Sequence, residues 1–253
     1  EGKIDLNDSA SDYIPQIASM KVASLDAEGN PKFEDQISPI TIKDLLLHRS
    51  GMGYGIFGDI NPVETLYGKA GLFEPSESLS VKMDKLSQLP LLAQPGTGWY
   101  YSYSIDVLGR VIEVVTGKSL EEAMQSRLFE PLGMTETGFR VTEKQKPHFV
   151  SNYLKQPDGR YRVIGDGQSA PYLNPHYAFD SGGGGLVSTV GDFAKFAQRM
   201  LDGGTYKGLK ILEPETVQMM MSDQMDEDDI FMMPWLGEAV GSGFGYGGSV
   251  QTQ

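Results

Sequence analysis

The sequence predicts an α-rich lobe whose partner sheet lies mostly elsewhere. Two long segments, 104–116 and 189–201, carry apolar residues at helical spacing. Gly- and Pro-containing loops join them, and only 160–164 and 243–250 read as strands. In chain order, Thr41-Ile42-Lys43-Asp44 has the form of a capping box ahead of Leu45, Leu46 and Leu47, with Gly51 as the stop. Residues 75–85 fit no single pattern. From 104 to 116, Ile105, Leu108, Ile112 and Val115 recur at helical spacing, and Val107, Val111 and Val114 widen the apolar face. Asp106, Arg110 and Glu113 form the remaining polar stripe, and Gly117 fits the position just past a helix end. Ser119 with Glu122 makes a second capping box, opening a helix through Leu128 with Pro131 beyond it. Phe193, Phe196, Ala197, Met200 and Leu201 share one face of the next helix. Thr189 and Asp192 cap its start, and Gly203-Gly204 close it. Residues 213–221 read as a further helix.

Composition narrows the function classes. At 253 residues with 40% hydrophobic content, the chain can bury one large core or two modest ones. No apolar run approaches the ~20 residues a membrane span requires, and the polar start EGKIDLNDSA shows no secretory signal. A net charge of −13 repels phosphate backbones and argues against a nucleic-acid partner. The absence of cysteine excludes disulfides, thiolate metal sites and a cysteine nucleophile, and leaves the compartment open. His48, His148 and His176 have no metal-ligand spacing, so no metal is expected. The opening Glu1-Gly2-Lys3 and the closing GSGFGYGGSVQTQ read as the cut ends of a segment from a longer protein.

The candidate chemistry centres on Tyr100-Tyr101-Ser102-Tyr103-Ser104, which follows Pro95-Gly96 and runs straight into the apolar helix. A tyrosine there is either a proton shuttle or core packing. With a pKa of ~10, a phenol acts as a base only when a nearby cation stabilises its anion. In a serine hydrolase a lysine can supply that field while tyrosine relays the serine proton. Tyr100 and Tyr103 are rivals to Tyr101 for the role.

Other motifs read more blandly. Gly117-Lys118-Ser119 lacks the glycine a P-loop needs five residues earlier, where Ile112 stands. Gly182 to Gly185 is an anion nest or a close-packed turn, the turn being favoured by the helix that follows. His48 sits at a helix end, where an imidazolium meets the dipole favourably. A Ser-His-Asp arrangement stays open, although no G-x-S-x-G elbow occurs: Val240 stands where Ser242 would need a glycine. Met219, Met220, Met221, Met225, Met232 and Met233 read as core filling, or else as a flexible wall of an acyl pocket. Asp226 to Asp229 reads as a solvated loop.

PGTGWYYSYS, then VVTGKSLEE, then LFEPLGMTETGF resembles the class C β-lactamase and penicillin-binding-protein-like esterase superfamily, nearest to its family VIII carboxylesterases. EGKIDLNDSASDYIP, ITIKDLLLHRSGMGY, SGGGGLVSTVGDFAKFAQRMLDGG and GFGYGGSV resemble further segments of that superfamily, in the same order over nearly the whole chain. The resemblance implies an α+β, β-lactamase/transpeptidase-like fold: a helical lobe beside an antiparallel sheet with flanking helices. Residues 1–242 would be mainly the helical lobe, and 243–253 the start of a strand returning to the α/β lobe. It implies acyl transfer through a serine in a Ser-x-x-Lys motif, and it places Tyr101 on the family's catalytic tyrosine. It implies no metal or organic cofactor.

The sequence also departs from the pattern. No lysine in the chain has a serine three residues before it, and the late-strand K-T-G or W-G-G motif is missing. Tyr103 stands where lactamases carry the asparagine that contacts the lactam side-chain amide, which leans toward esters. The expectation is a central segment of a serine hydrolase for small-molecule esters or β-lactams, inactive by itself. The alternative is an inactive homologue acting as a binding or regulatory module. A bacterial origin is expected, while the compartment, cytoplasmic or periplasmic, and the oligomeric state stay open.

Overall fold

The computed structural model describes residues 2–26, 31–56, 61–165, 167, 170–226, 229, 231–233 and 237–252. Near the N-terminus β1 (Val22–Leu25) and β2 (Pro31–Glu34) pair antiparallel. Thr41 then starts α1 (Ile42–Leu46) with both bonds of its capping box in place. Asn61 caps α2 (Pro62–Lys69), whose Pro62 occupies a first-turn position that has no amide partner to lose. The ambiguous stretch 75–85 overlaps α3 (Leu79–Leu86), which buries Leu79, Lys82, Met83 and Leu86.

The helix expected over 104–116 forms as α4 (Ser104–Thr116) and stops at Gly117, where φ is 67°. Its polar stripe is not uniform. Asp106 is fully buried, because the first turn of α4 faces the loop at Ser181 instead of solvent. The Ser119 capping box opens α5 (Leu120–Met124). The chain continues through a wide π-type turn over Gln125–Phe129 into α6 (Glu130–Leu132), ending at Gly133 with φ of 64°. Pro131 thus lies inside the last helical turn, not beyond the helix. In the wide turn the Glu130 N–H reaches back five residues to the Gln125 carbonyl, a geometry that accommodates a residue with no N–H of its own.

An exposed hairpin follows, β3 (Asn152–Lys155) with β4 (Tyr161–Gly165), covering the strand expected at 160–164. Thr189 caps α7 (Val190–Leu201). The apolar face of this helix is only partly core-packed: Phe196 rests on the cluster of Phe129, Leu132 and Met134, while Phe193 is 62% and Leu201 81% exposed. Together with Val217 and the chain around 246–250, α7 lines a groove of ≈ 670 Å³. A small hairpin, β5 (Thr205–Tyr206) with β6 (Leu209–Lys210), leads to α8 (Pro214–Met220), the helix expected over 213–221. Next come β7 (Met232–Met233) and β8 (Gly237–Glu238), and finally β9 (Ser242–Gly245) and β10 (Gly248–Gln251). The 243–250 stretch is therefore a hairpin and not one strand. It turns at Tyr246-Gly247, where Gly247 takes φ of 95°.

Among the described residues every sheet has two strands, and the main core is made by α1, α3 and α4. Leu45, Met52, Tyr67, Leu79, Met83, Leu86, Tyr103, Val107 and Val111 belong to one buried cluster. No helix of the described residues is long and apolar enough to cross a membrane. The methionines of the stretch from Met219 to Met225 do not fill this core. Met219 and Met221 are exposed, and Met225 packs on a second cluster around Leu47 and Trp99. The side chains of Met232 and Met233 lie outside the described residues.

Candidate active site around Tyr101

Two loops build the site, one leaving α1 and one entering α4. Backbone bonds tie them together. The Tyr100 N–H donates to the His48 carbonyl at 2.8 Å, the Tyr103 N–H to Gly53 at 3.0 Å, and the Gly96 N–H to Arg49 at 2.8 Å. The first loop reverses direction through two left-handed residues, His48 (φ 55°) and Gly51 (φ 75°). At Gly51 a Cβ would lie 2.2 Å from the Ala93 carbonyl oxygen, so only glycine permits the approach.

The register of the second loop separates the three tyrosines. Tyr100 faces outward and is 38% exposed. Tyr103 is fully buried, donates its hydroxyl to the Leu72 carbonyl at 2.6 Å, and packs against Tyr54 and Phe73. Tyr101 lies between these extremes. Its ring stands 4.7 Å from His48, 5.3 Å from Tyr54 and 6.1 Å from Trp99. Burial, and then the charge of Asp106, push the Tyr101 phenol above its ordinary pKa.

His48 is a neutral part of this platform and not a cation at a helix end. Its Nδ1 accepts the Ser102 N–H at 3.1 Å, which leaves the ring proton on Nε2. Trp99 and Phe244 close over the ring, and burial lowers its pKa to about 4. With Nδ1 already engaged and the ring buried, His48 is poorly placed to serve as the base of a Ser-His-Asp set. Behind it the hydroxyls of Ser102, Ser104 and Ser50 run in series, each 2.7 Å from the next.

Arg49 anchors the far side. Its Nη1 pairs with Asp226 at 2.6 Å and its Nε with Asp229 at 3.1 Å. The acidic run is therefore partly a clamp on the site loop, with the Asp229 side chain 7% exposed, and not simply a solvated loop; Glu227 and Asp228 lie outside the described residues. This clamp and the Phe231–Trp99–Phe244 contacts hold the C-terminal segments beside Tyr101.

Two buried ionisable groups escaped the sequence reading. Asp106 accepts the Ser181 hydroxyl at 2.6 Å, and the Gly183 N–H points to the same oxygen at 3.4 Å. Burial pushes its pKa up to about 6, with the Ser181 and Gly183 bonds and Lys82 opposing. Lys82, on α3, donates to the Glu74 carbonyl at 2.7 Å and lies 4.1 Å above the Phe179 ring. Burial lowers its pKa to about 8, against the pull of Glu77. Gly182, Gly183 and Gly185 form a close-packed wall, with Gly184 turned outward: a Cβ on Gly182 would lie 2.4 Å from the Ile105 carbonyl oxygen.

A helical lobe with small antiparallel sheets, and a tyrosine held at the entrance to its central helix, define a β-lactamase/transpeptidase-like protein. The chain belongs to the Beta-lactamase family, whose family model matches residues 1–253. An uncharacterized protein of Mycobacterium tuberculosis is 34% identical over 258 residues, covering 100% of this chain and 61% of that protein. The lovastatin esterase of Penicillium rubens is 30% identical, covering 89% of this chain and 55% of its own length. Among solved structures, EstCE1, a hydrolase with promiscuous acyltransferase activity, superposes with a TM-score of 0.73 at 28% identity, over 100% of this chain and 64% of that one. The chain thus spans less than two thirds of the relatives it matches.

Proposed function

We propose that the complete protein is a serine hydrolase that handles small esters through an acyl-enzyme, with Tyr101 relaying the proton of the nucleophile. The observation that carries this reading is the sorting of the three tyrosines. Tyr103 is locked to a carbonyl in the core and Tyr100 faces solvent. Tyr101 alone combines partial burial with a place on the polar and aromatic platform. The 253 residues contain no Ser-x-x-Lys, so the serine and its lysine would come from the rest of the protein.

The reaction then runs as follows. The serine Oγ attacks the ester carbonyl while its proton passes to Tyr101, held as phenolate by the lysine. Backbone N–H donors stabilise the tetrahedral oxyanion. Its collapse forms the acyl-serine and expels the alcohol, which takes the proton from Tyr101. Water, or a second alcohol, then attacks the acyl-serine, and the serine regains its proton. Without a cation, burial and Asp106 keep Tyr101 protonated, so the 253-residue chain alone is expected to show no turnover.

Esters are favoured over β-lactams because the Tyr103 side chain is turned into the core. It offers no amide partner at the position where lactamases carry asparagine. We read residues 1–242 as mainly the helical lobe and the hairpin over 242–251 as the start of the return to the α/β lobe. The test is Tyr101→Phe in the full-length protein, assayed on p-nitrophenyl esters. Turnover is expected to fall by about 10²-fold or more, with the circular dichroism spectrum unchanged. Near-normal hydrolysis would refute the assignment. A full-length protein with no Ser-x-x-Lys and no ester turnover would instead favour the binding or regulatory module.

A further inference from the structure

The carboxylate of Asp106 lies directly behind the tyrosine platform, and nothing in the reaction above uses it. Three observations single it out. Its side chain is completely buried, and among the described residues its Oδ2 has no hydrogen-bond partner. Its Oδ1 bridges two separate parts of the fold, reaching from the first turn of α4 to Ser181 and Gly183. A Cβ on Gly183 would lie 2.8 Å from Oδ2 and 3.5 Å from the Tyr54 hydroxyl, so the glycine wall presses onto this carboxylate. Such an anion is costly to bury, and its position spends that cost beside Tyr101.

We propose that Asp106 is a positioning residue for Tyr101: it clamps the 181–183 wall to the helix that follows the tyrosine and holds negative charge behind the phenol. The clamp fixes the distance between the glycine wall and the first turn of α4, which the Tyr101 loop enters. The charge makes the phenol a weaker acid, and therefore a stronger base once a lysine has drawn off its proton. The groups that feel the Asp106 charge are Lys82 from α3, Tyr54 from the loop after α1, Tyr101 and Tyr103 from its own approach, and Tyr177 ahead of the glycine wall. Lys82 is the cation among them. Its ammonium is committed to the Glu74 carbonyl and forms no ion pair with Asp106, so the charge on Asp106 is only partly offset.

The inference deepens the proposed function and rests on it, so its test carries one readout that needs no turnover. In the full-length protein, Asp106→Asn keeps the shape and removes the charge. The ¹³Cζ resonance of Tyr101, assigned by its loss in Tyr101→Phe, is followed with pH. The Tyr101 ionisation midpoint is expected to move to lower pH in Asp106→Asn, and an unmoved midpoint overturns the proposal. In the ester assay, kcat is expected to fall about tenfold, because a phenol of lowered pKa is a weaker base toward the serine hydroxyl. The ascending, acidic limb of the pH–rate profile should move in the same direction as the resonance. A rate lowered equally at every pH would mark a purely structural role and also overturn it. Ser181→Ala, which deletes only the 2.6 Å bond, is the second variant. It is expected to lower kcat with KM little changed, and wild-type kcat in this variant would refute the clamp. A wild-type protein that hydrolyses no ester would sink the proposed function while leaving the resonance test intact.

Discussion

Replacing His48 by Asn tests the electrostatics of the platform through stability alone. In the folded chain burial lowers the His48 pKa from 6.5 to about 4. Each tenfold change in proton affinity corresponds to about 1.4 kcal/mol, so the full difference amounts to roughly 3 kcal/mol. The unfolded chain binds the proton between pH 6.5 and 4 and the folded chain does not. The contribution is therefore fully present above pH 6.5 and is lost as the pH falls toward 4. Asn is the informative replacement: it tolerates the left-handed backbone at φ 55°, and its carbonyl can accept the Ser102 N–H. The assay is urea unfolding of wild type and His48→Asn at intervals from pH 4 to 8. The stability difference between the two should change by roughly 3 kcal/mol across the acidic half of that range. A difference that stays flat, or a His48 imidazole that titrates near 6.5 by NMR, would refute the account of a buried neutral ring.

Further outcomes follow from the same geometry. Tyr103→Phe should cost about 1–3 kcal/mol by leaving the buried Leu72 carbonyl without its donor, while leaving any ester activity of the full-length protein largely intact; chemical denaturation and a p-nitrophenyl ester assay measure the two. Gly51→Ala should destabilise by about 2 kcal/mol or more, since it combines φ of 75° with a Cβ pressed on the Ala93 carbonyl; a melting temperature equal to wild type would contradict the packing described. In wild type, the Asp106 carboxyl is expected to titrate near 6 by carboxyl-carbon NMR. The folded pKa is raised, so its contribution is present at acidic pH and fades as the pH rises through about 6, opposite in sign to that of His48.

Much of the helical lobe was legible because its signals are local. The capping boxes at Thr41 and Ser119, the apolar periodicity from Ile105 to Val115 and the stop at Gly117 act within a turn or two of chain, and each forms as read. Asp106 was not legible. At the third position of an amphipathic helix it looks like any solvated carboxylate, and it is buried only because Gly182 and Gly183 lie against α4 from some 75 residues away. His48 misled for a related reason. Its place after a helix suggests an imidazolium at the dipole, whereas the aromatic rings of Trp99, Tyr101 and Phe244 remove the water that would support the charge. The face of α7 shows the converse: its periodicity is real, yet among the described residues it is only partly covered.

The sequence by itself determined the helices opened at Thr41, Ser104, Ser119 and Thr189, the order of the family's segments and the choice of Tyr101 as the tyrosine of interest, since periodicity, capping and short motifs are properties of neighbouring residues. Only the tertiary structure decided which of three adjacent tyrosines is half-buried, that His48 is neutral, and that a lone carboxylate stands behind the phenol. Those are matters of burial and long-range approach, and they fix proton affinities through the water they exclude and the charges they bring close.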